Sequence, residues 1–320
     1  MKKVWIDTDP GVDDTVAMAM LFESPEIEIV GVSTIFGNAT VDLTTKNAKI
    51  ILEAVGKESI PLARGAYYPL HVRLDTSPFV HGENGFGNMP LPEPKVKESP
   101  LLAPQAITNM ILAHPHEITL LPIGPLTNIA MAYLLEPKIA NLVKEVVIMG
   151  GAVYCPGNIT PVAEANFFHD PHAAQIVIRA GWPITLAGLD VCGASSMISN
   201  TLLDKIIAAG KPLSPYIGGA LPFYQNFLSK FGIYDKVDFP DTLAAAYLLK
   251  PEIFTIEKTM LFIEIEGSCL GQSIPVPTGK WYQDMKDTTH YEADETISSV
   301  NVLVKENSQQ YFNLVEKLLT

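Results

Sequence analysis

The sequence predicts an α/β fold: a single doubly wound, mostly parallel sheet flanked by helices. Three observations carry that expectation. Short apolar runs alternate along the chain with helical stretches, as in strand–helix–strand units joined by right-handed crossovers. Runs such as ITLLPI (118–123) and VVIMGG (146–151) are apolar without strict alternation, which suits parallel strands buried on both faces. Polar clusters follow those runs, at the strand ends where open α/β sheets place their ligands.

Taken in order, the first strand is expected over 3–8, where Val4-Trp5-Ile6 runs into Asp7. Pro10 and Gly11 break it, and the spacing of Val16, Ala17, Met20 and Leu21 sets a helix over 14–23. Further strands are expected over 27–35, 60–63, 117–123, 145–149 and 183–189. Helices are expected over 40–55, 102–113, 126–134, 171–180, 201–209, 215–230 and 241–249. Asp170 as N-cap and Pro171 at the first helical position open the helix over 171–180. The Pro- and Gly-rich segment 64–100, with VHGENGFGN at 80–88, reads as a loop over the site. From 255 onward, TMLFIEIEG, SVNVLV and a last helix over 309–319 complete one domain spanning 1–320.

Composition narrows the partners. The 320 residues are 48% hydrophobic, ample for a large core, and no run approaches the roughly 18 apolar residues of a membrane span. The start Met-Lys-Lys-Val-Trp-Ile-Asp meets an acid too early for a secretory signal. A formal charge of −13 argues against nucleic acid, which needs a basic stripe. A small neutral or cationic substrate is expected instead. Three widely spaced cysteines without CxxC pairing read as reduced thiols of a cytoplasmic protein, with neither disulfides nor zinc.

The densest chemistry lies in VWIDTDPGVDD (4–14). Asp7, Asp9, Asp13 and Asp14 place four acids within eight residues, with no Lys or Arg between residues 4 and 45. Such acids repel one another unless something cationic sits among them, and a hard divalent metal is the natural neutraliser. A capping role accounts for Asp13 or Asp14 but leaves the other acids unexplained. An EF-hand is excluded, because the loop lacks Gly at its sixth position and Glu at its twelfth.

DTDPGVDD (7–14) resembles the N-terminal signature of the nucleoside hydrolases, the inosine-uridine-preferring nucleoside N-ribohydrolases. The likeness continues through STIFGN (33–38), VHGENG (80–85), IGPLTNIA (123–130) and VIMGG (147–151). It then runs through GNITPVAEANFFHDPHAA (157–174) and PDTLAAAYLLKPEIF (240–254). The resemblance implies a Rossmann-like core and Ca²⁺-dependent hydrolysis of the N-glycosidic bond of ribonucleosides. By position it implies calcium ligation by Asp9, Asp14, the main-chain carbonyl of Ile123 and Asp241. The ion would also take the ribose diol and a water whose proton Asp13 removes as general base. Asn38, Asn158, Glu164 and Asn166 match the sugar-binding positions, Met149 a residue under the ribose, and His81 one near the nucleobase. Asp7 is expected to orient its neighbours rather than to ligate. Family likeness also implies a homo-oligomer, dimer or tetramer.

One position departs from the pattern. Many relatives carry His immediately before the last metal-binding Asp, where it activates the leaving base; here Pro240 precedes Asp241. Activation is then expected from His81, from a Tyr between Tyr216 and Tyr234, or from stacking on Phe223, Tyr224, Phe227 or Tyr234. Two rivals remain. A haloacid-dehalogenase-type phosphohydrolase would use Asp7 as nucleophile and Asp9 as acid–base. A catalytically idle relative would bind ribose or calcium without turnover.

Overall fold

A computed structural model describes residues 1–276 and 299–320. In chain order the strands are β1 (Lys2–Thr8), β2 (Ile27–Thr34), β3 (Leu62–Arg64), β4 (Ile118–Pro122), β5 (Glu145–Ile148) and β6 (Ile184–Leu186). They continue with β7 (Ile198–Ser199), β8 (Lys236–Val237), β9 (Phe254–Ile263), β10 (Ser273–Val276) and β11 (Val300–Glu306). The helices are α1 (Val12–Glu23), α2 (Val41–Ala54), α3 (Pro78–His81), α4 (Ala103–Ala113), α5 (Thr127–Leu135) and α6 (Ala165–His169). After them come α7 (Pro171–Arg179), α8 (Asn200–Ala208), α9 (Ser214–Ser229), α10 (Pro240–Leu249) and α11 (Ser308–Leu319).

Nine strands form one sheet in the order β10-β9-β11-β6-β5-β4-β1-β2-β3. Every neighbouring pair from β3 to β11 is parallel, and only β9 against β11 and β10 is antiparallel. The α/β expectation therefore holds. β1 pleats Val4 and Ile6 into the core layer that holds α1 and α10, and Trp5 into the opposite layer with α4, α5 and α7. The strand order reverses between β1 and β4, since β2 and β3 extend one way and β5 and β6 the other. Such a reversal opens a crevice at the carboxyl edge.

The differences from expectation have local causes. α1 begins at Val12, so Asp13 and Asp14 sit inside its first turn. The strand expected over 183–189 narrows to Ile184–Leu186, because the chain turns at Gly188, whose carbonyl accepts Val191 N–H at 3.2 Å. The segment 64–100 is only partly a loop over the site. It contains α3, and at its far end Ser99 hydrogen-bonds Leu62 while Glu98 pairs with Arg64 and Lys49. The five-residue α6 and the short β7–β8 pair lie below the length at which periodicity reveals an element. No helix among the described residues is long and apolar enough to cross a membrane.

Candidate active site

α1 and α10 pack side by side, buried almost throughout. Asp13 and Asp14 lie in the first turn of one and Asp241 in the first turn of the other. Their carboxylate oxygens converge to within 4.8 Å of one another, at two helix N-termini whose dipoles favour negative charge. The turn after β1 supplies the remaining acid. Asp9 Oδ2 accepts the main-chain N–H of Asn38 at 2.7 Å. The Asn38 amide donates both to the Asp9 carbonyl at 3.1 Å and to Asp14 Oδ2 at 2.9 Å. Gly11 N–H reaches Asp14 Oδ2 at 2.9 Å, and the Thr8 hydroxyl donates to Asp14 Oδ1. The N-cap of α1 is therefore Gly11 rather than Asp13 or Asp14; Asp14, at the third helical position, accepts the Gly11 N–H and also sits in the acidic cluster.

The electrostatics are those of a site built for a cation. Burial pushes Asp13 up to about 6 and, with help from Asp13, Asp14 up to about 6. Burial and then the neighbouring acids hold Asp9 and Asp241 well above the usual carboxylate range. Asp9 Oδ1 and Asp13 Oδ1 are buried without a hydrogen-bond partner. Among the described residues the one ion-pair contact to this cluster is His81, whose Nδ1 lies 3.8 Å from Asp13 Oδ1. Burial lowers His81 to about 4, leaving it uncharged at neutral pH. Uncompensated buried carboxylate oxygens fit a hard divalent cation. Glycine makes the space. A Cβ on Gly37 would stand 2.1 Å from Asp9 Oδ2, and one on Gly124 would stand 2.5 Å from Asp9 Oδ1.

Above these acids opens a cavity of about 160 Å³ at the carboxyl edge of the sheet. Asp13, Ile123 and Asp241 line it, as do Asn38, His81, Met149, Asn158, Glu164 and Asn166. Asp9 and Asp14 lie beneath the lining, 2% and 0% exposed. Glu164 caps α6: its oxygens accept from the N–H groups of Asn166, Phe167 and Gly151. Asn166 Nδ2 donates to the carbonyls of Ile123 and Met149 at 3.2 and 3.1 Å and touches Met149 Sδ at 3.3 Å. Asn158 Oδ1 accepts from Ala165 N–H at 3.0 Å.

Asp7 stands apart from the pocket. Its Oδ1 accepts from the Ser33 hydroxyl and, at 2.8 Å, from the Asn128 amide, which also donates to Thr34 O at 3.0 Å. Its main-chain carbonyl receives Ile123 N–H at 2.8 Å. The residue ties the ends of β1, β2 and β4 to α5, and it does not line the cavity where a nucleophile would have to stand.

One side of the pocket is aromatic. Tyr224 and Phe227 line it, with Pro240 beside Asp241. His81 stacks on Tyr224 at 5.5 Å, and Tyr224 stacks on Phe239 at 5.9 Å with its hydroxyl donating to Asp238 O at 3.1 Å. Phe223 is not among the lining residues, and Tyr234 is 72% exposed outside the pocket, so neither is positioned to stack on a substrate. Sequence reasoning missed Ser77, Phe79, Val80, Ile159 and Ala165, which also line the cavity. VHGENG pointed toward α3, but four residues give no helical period to find.

A mostly parallel sheet with an acid-floored pocket at its switch point defines an open α/β protein with a ligand site at the carboxyl edge, and comparison with known proteins supplies the family. The chain matches the family described as inosine-uridine preferring nucleoside hydrolase over residues 4–313 and belongs to it. It is therefore an enzyme acting on N-glycosyl compounds, and the phosphohydrolase reading falls. It is 36% identical over 275 residues to uridine nucleosidase 1 of Arabidopsis thaliana, covering 85% of this chain and 81% of that protein. It is 38% identical over 270 residues to the inosine-uridine preferring nucleoside hydrolase of Leishmania major, covering 83% and 85%. A solved plant nucleoside hydrolase superposes with a TM-score of 0.92 at 30% identity, covering 100% of this chain and 99% of that one.

Proposed function

We propose that this chain is a calcium-dependent ribonucleoside hydrolase, with uridine its foremost substrate, releasing free base and ribose. The observation that carries the reading is the meeting of Asp13, Asp14 and Asp241 at the floor of a pocket walled by amides and one carboxylate. The name of the Arabidopsis relative supports uridine. Asp9, Asp14, the Ile123 carbonyl and Asp241 are the residues that would hold the ion. When bound, it supplies Lewis-acid polarisation of the attacking water and of the ribose diol.

The protein's own groups do the rest. Asp13, which lines the pocket beside the other acids, takes the water's proton. Asn38, Asn158, Glu164 and Asn166 pair with the sugar hydroxyls; a carboxylate oxygen that already accepts one N–H keeps a lone pair for another. Asp13, Glu164 and Asp241 face the positive charge that builds on the sugar as the base departs, and fixed charges in a dry site stabilise it strongly. Asp7 braces the floor through Ser33 and Asn128. With Pro240 offering no proton, the base is activated by stacking on Tyr224 and Phe227 and by a hydrogen bond from His81. The Nδ1 of His81 accepts Val12 N–H at 3.3 Å, so its proton sits on Nε2.

We further read the whole chain as one domain, working as a homodimer or homotetramer in the cytoplasm. Three free cysteines support a reducing compartment. The test is base release from a panel of nucleosides and their 5′-monophosphates, with Asp13→Ala as control. The reading expects nucleosides to turn over and monophosphates to be poor substrates, because the acids of the pocket repel phosphate. No base released from any nucleoside would favour an idle binding protein.

A further inference from the structure

A second cavity, of about 400 Å³, lies away from the acidic cluster between residues 72–75 and the end of α6. That volume falls within the range of small-molecule sites, about 300–1,000 Å³. Val72, Leu74, Phe168 and Leu270 give it apolar walls, and Arg73, Asp75 and His169 give it polar ones. His169 is the anomaly. It is 4% exposed, and neither of its ring nitrogens has a hydrogen-bond partner. Burial lowers it to about 4 against a smaller opposing pull from Asp75, so the ring is neutral, with one donor and one acceptor unspent. A buried polar group left unpaired costs about 1–3 kcal/mol and marks a place where a partner is due. Arg73 is exposed and has no partner among the described residues. Among the described residues the hydrogen bond of Asp75 is to its neighbour Thr76 N–H, at 3.0 Å.

We infer that this cavity is a second binding site, for a neutral planar heterocycle bearing adjacent carbonyl and N–H groups. The guanidinium of Arg73 donates, the carboxylate of Asp75 accepts, the imidazole of His169 does either, and the apolar lining packs against the ring. A net charge of −13 selects against an anion here despite Arg73. A free nucleobase and an intact nucleoside share this chemistry. Binding here is independent of glycosidic cleavage, yet both walls lead to the first pocket. Residues 72–75 run into Ser77 and α3, and α6 carries Asn166 at its other end. An occupant therefore braces two elements that line the active site.

The test is a ¹⁹F NMR titration of calcium-loaded protein with 5-fluorouracil, on wild type, Arg73→Gln, His169→Phe and His81→Phe. Two sites are expected in the wild type. Arg73→Gln, a surface change that leaves the core intact, should weaken one of them about tenfold, as expected for one lost hydrogen bond. His169→Phe should weaken the same one, and His81→Phe, which removes the hydrogen bond to the base, the other. Competition by pseudouridine, whose carbon–carbon glycosidic bond resists hydrolysis, identifies the nucleoside as occupant; competition by uracil alone identifies the free base. A single site in the wild type, or two unchanged sites in Arg73→Gln, overturns the inference.

Discussion

The imidazole of His81 sits 3.8 Å from Asp13 Oδ1 while its Nδ1 accepts the main-chain N–H of Val12. The ring beside Asp13 is thus neutral, with its proton on Nε2. A buried imidazolium at that distance would pair with Asp13 and quench it as a base.

The pH dependence of kcat follows. Asp13 is pushed up to about 6, and a bound cation can only lower it, so activity should rise with pH along an acid limb at or below about 6. His81, lowered to about 4, is already deprotonated there and adds no falling limb near neutrality. A rate profile that declines between about pH 6 and 8 contradicts this assignment.

Asp13→Asn should lower kcat by about 10²–10⁴, the usual contribution of a positioned base, with KM nearly unchanged. The amide keeps the shape of the pocket wall and leaves the four other oxygen donors in place. A raised KM at constant kcat would show that Asp13 binds substrate instead.

Calcium should stabilise the protein more at neutral than at acid pH. Asp13 and Asp14 stand at about 6 in the fold against an ordinary 3.8. For groups raised on folding, the stability of the cation-free chain is full below the ordinary value and is lost as pH rises through the folded one. A cation restores it by favouring the ionised form. Differential scanning should therefore show a larger calcium-induced rise in Tm at about pH 7.5 than at about pH 5. Equal shifts at both would contradict the coupling.

Asn128→Ala should cost about 1–3 kcal/mol, because it strips partners from Asp7 Oδ1, Thr34 O and Ala66 N together in a buried setting. Urea denaturation measures it. A change below about 0.5 kcal/mol would mean that Asp7 finds its partners elsewhere.

Much of this was legible in the chain itself, and the illegible parts share a physical cause. The parallel sheet showed in buried apolar runs, and the acids of DTDPGVDD showed because nothing cationic lies near them in sequence. Asp241 looked like any acid at a helix start, and only likeness to a family singled it out. Its meeting with Asp13 depends on α1 packing against α10, a contact between residues more than two hundred positions apart that no local pattern encodes. Phe79 and Val80 were hidden for the opposite reason: α3 is a single turn, held by Ser77 N–H on Gly37 O, too short to carry a period. Asn128 stood inside the recognised GPLTN stretch, but its service to Asp7 across the sheet could not be read from spacing.

The central claim is that Asp9, Asp13, Asp14 and Asp241 form one calcium-dependent hydrolytic centre. Its most direct test is calcium titration into EDTA-stripped protein, with uridine cleavage followed at each step. Activity should be absent at the start, rise in proportion to bound calcium and saturate at one ion per chain, with Asp241→Asn shifting the curve to much higher calcium. Full cleavage by the stripped protein, or calcium binding that leaves the rate unchanged, would contradict the account.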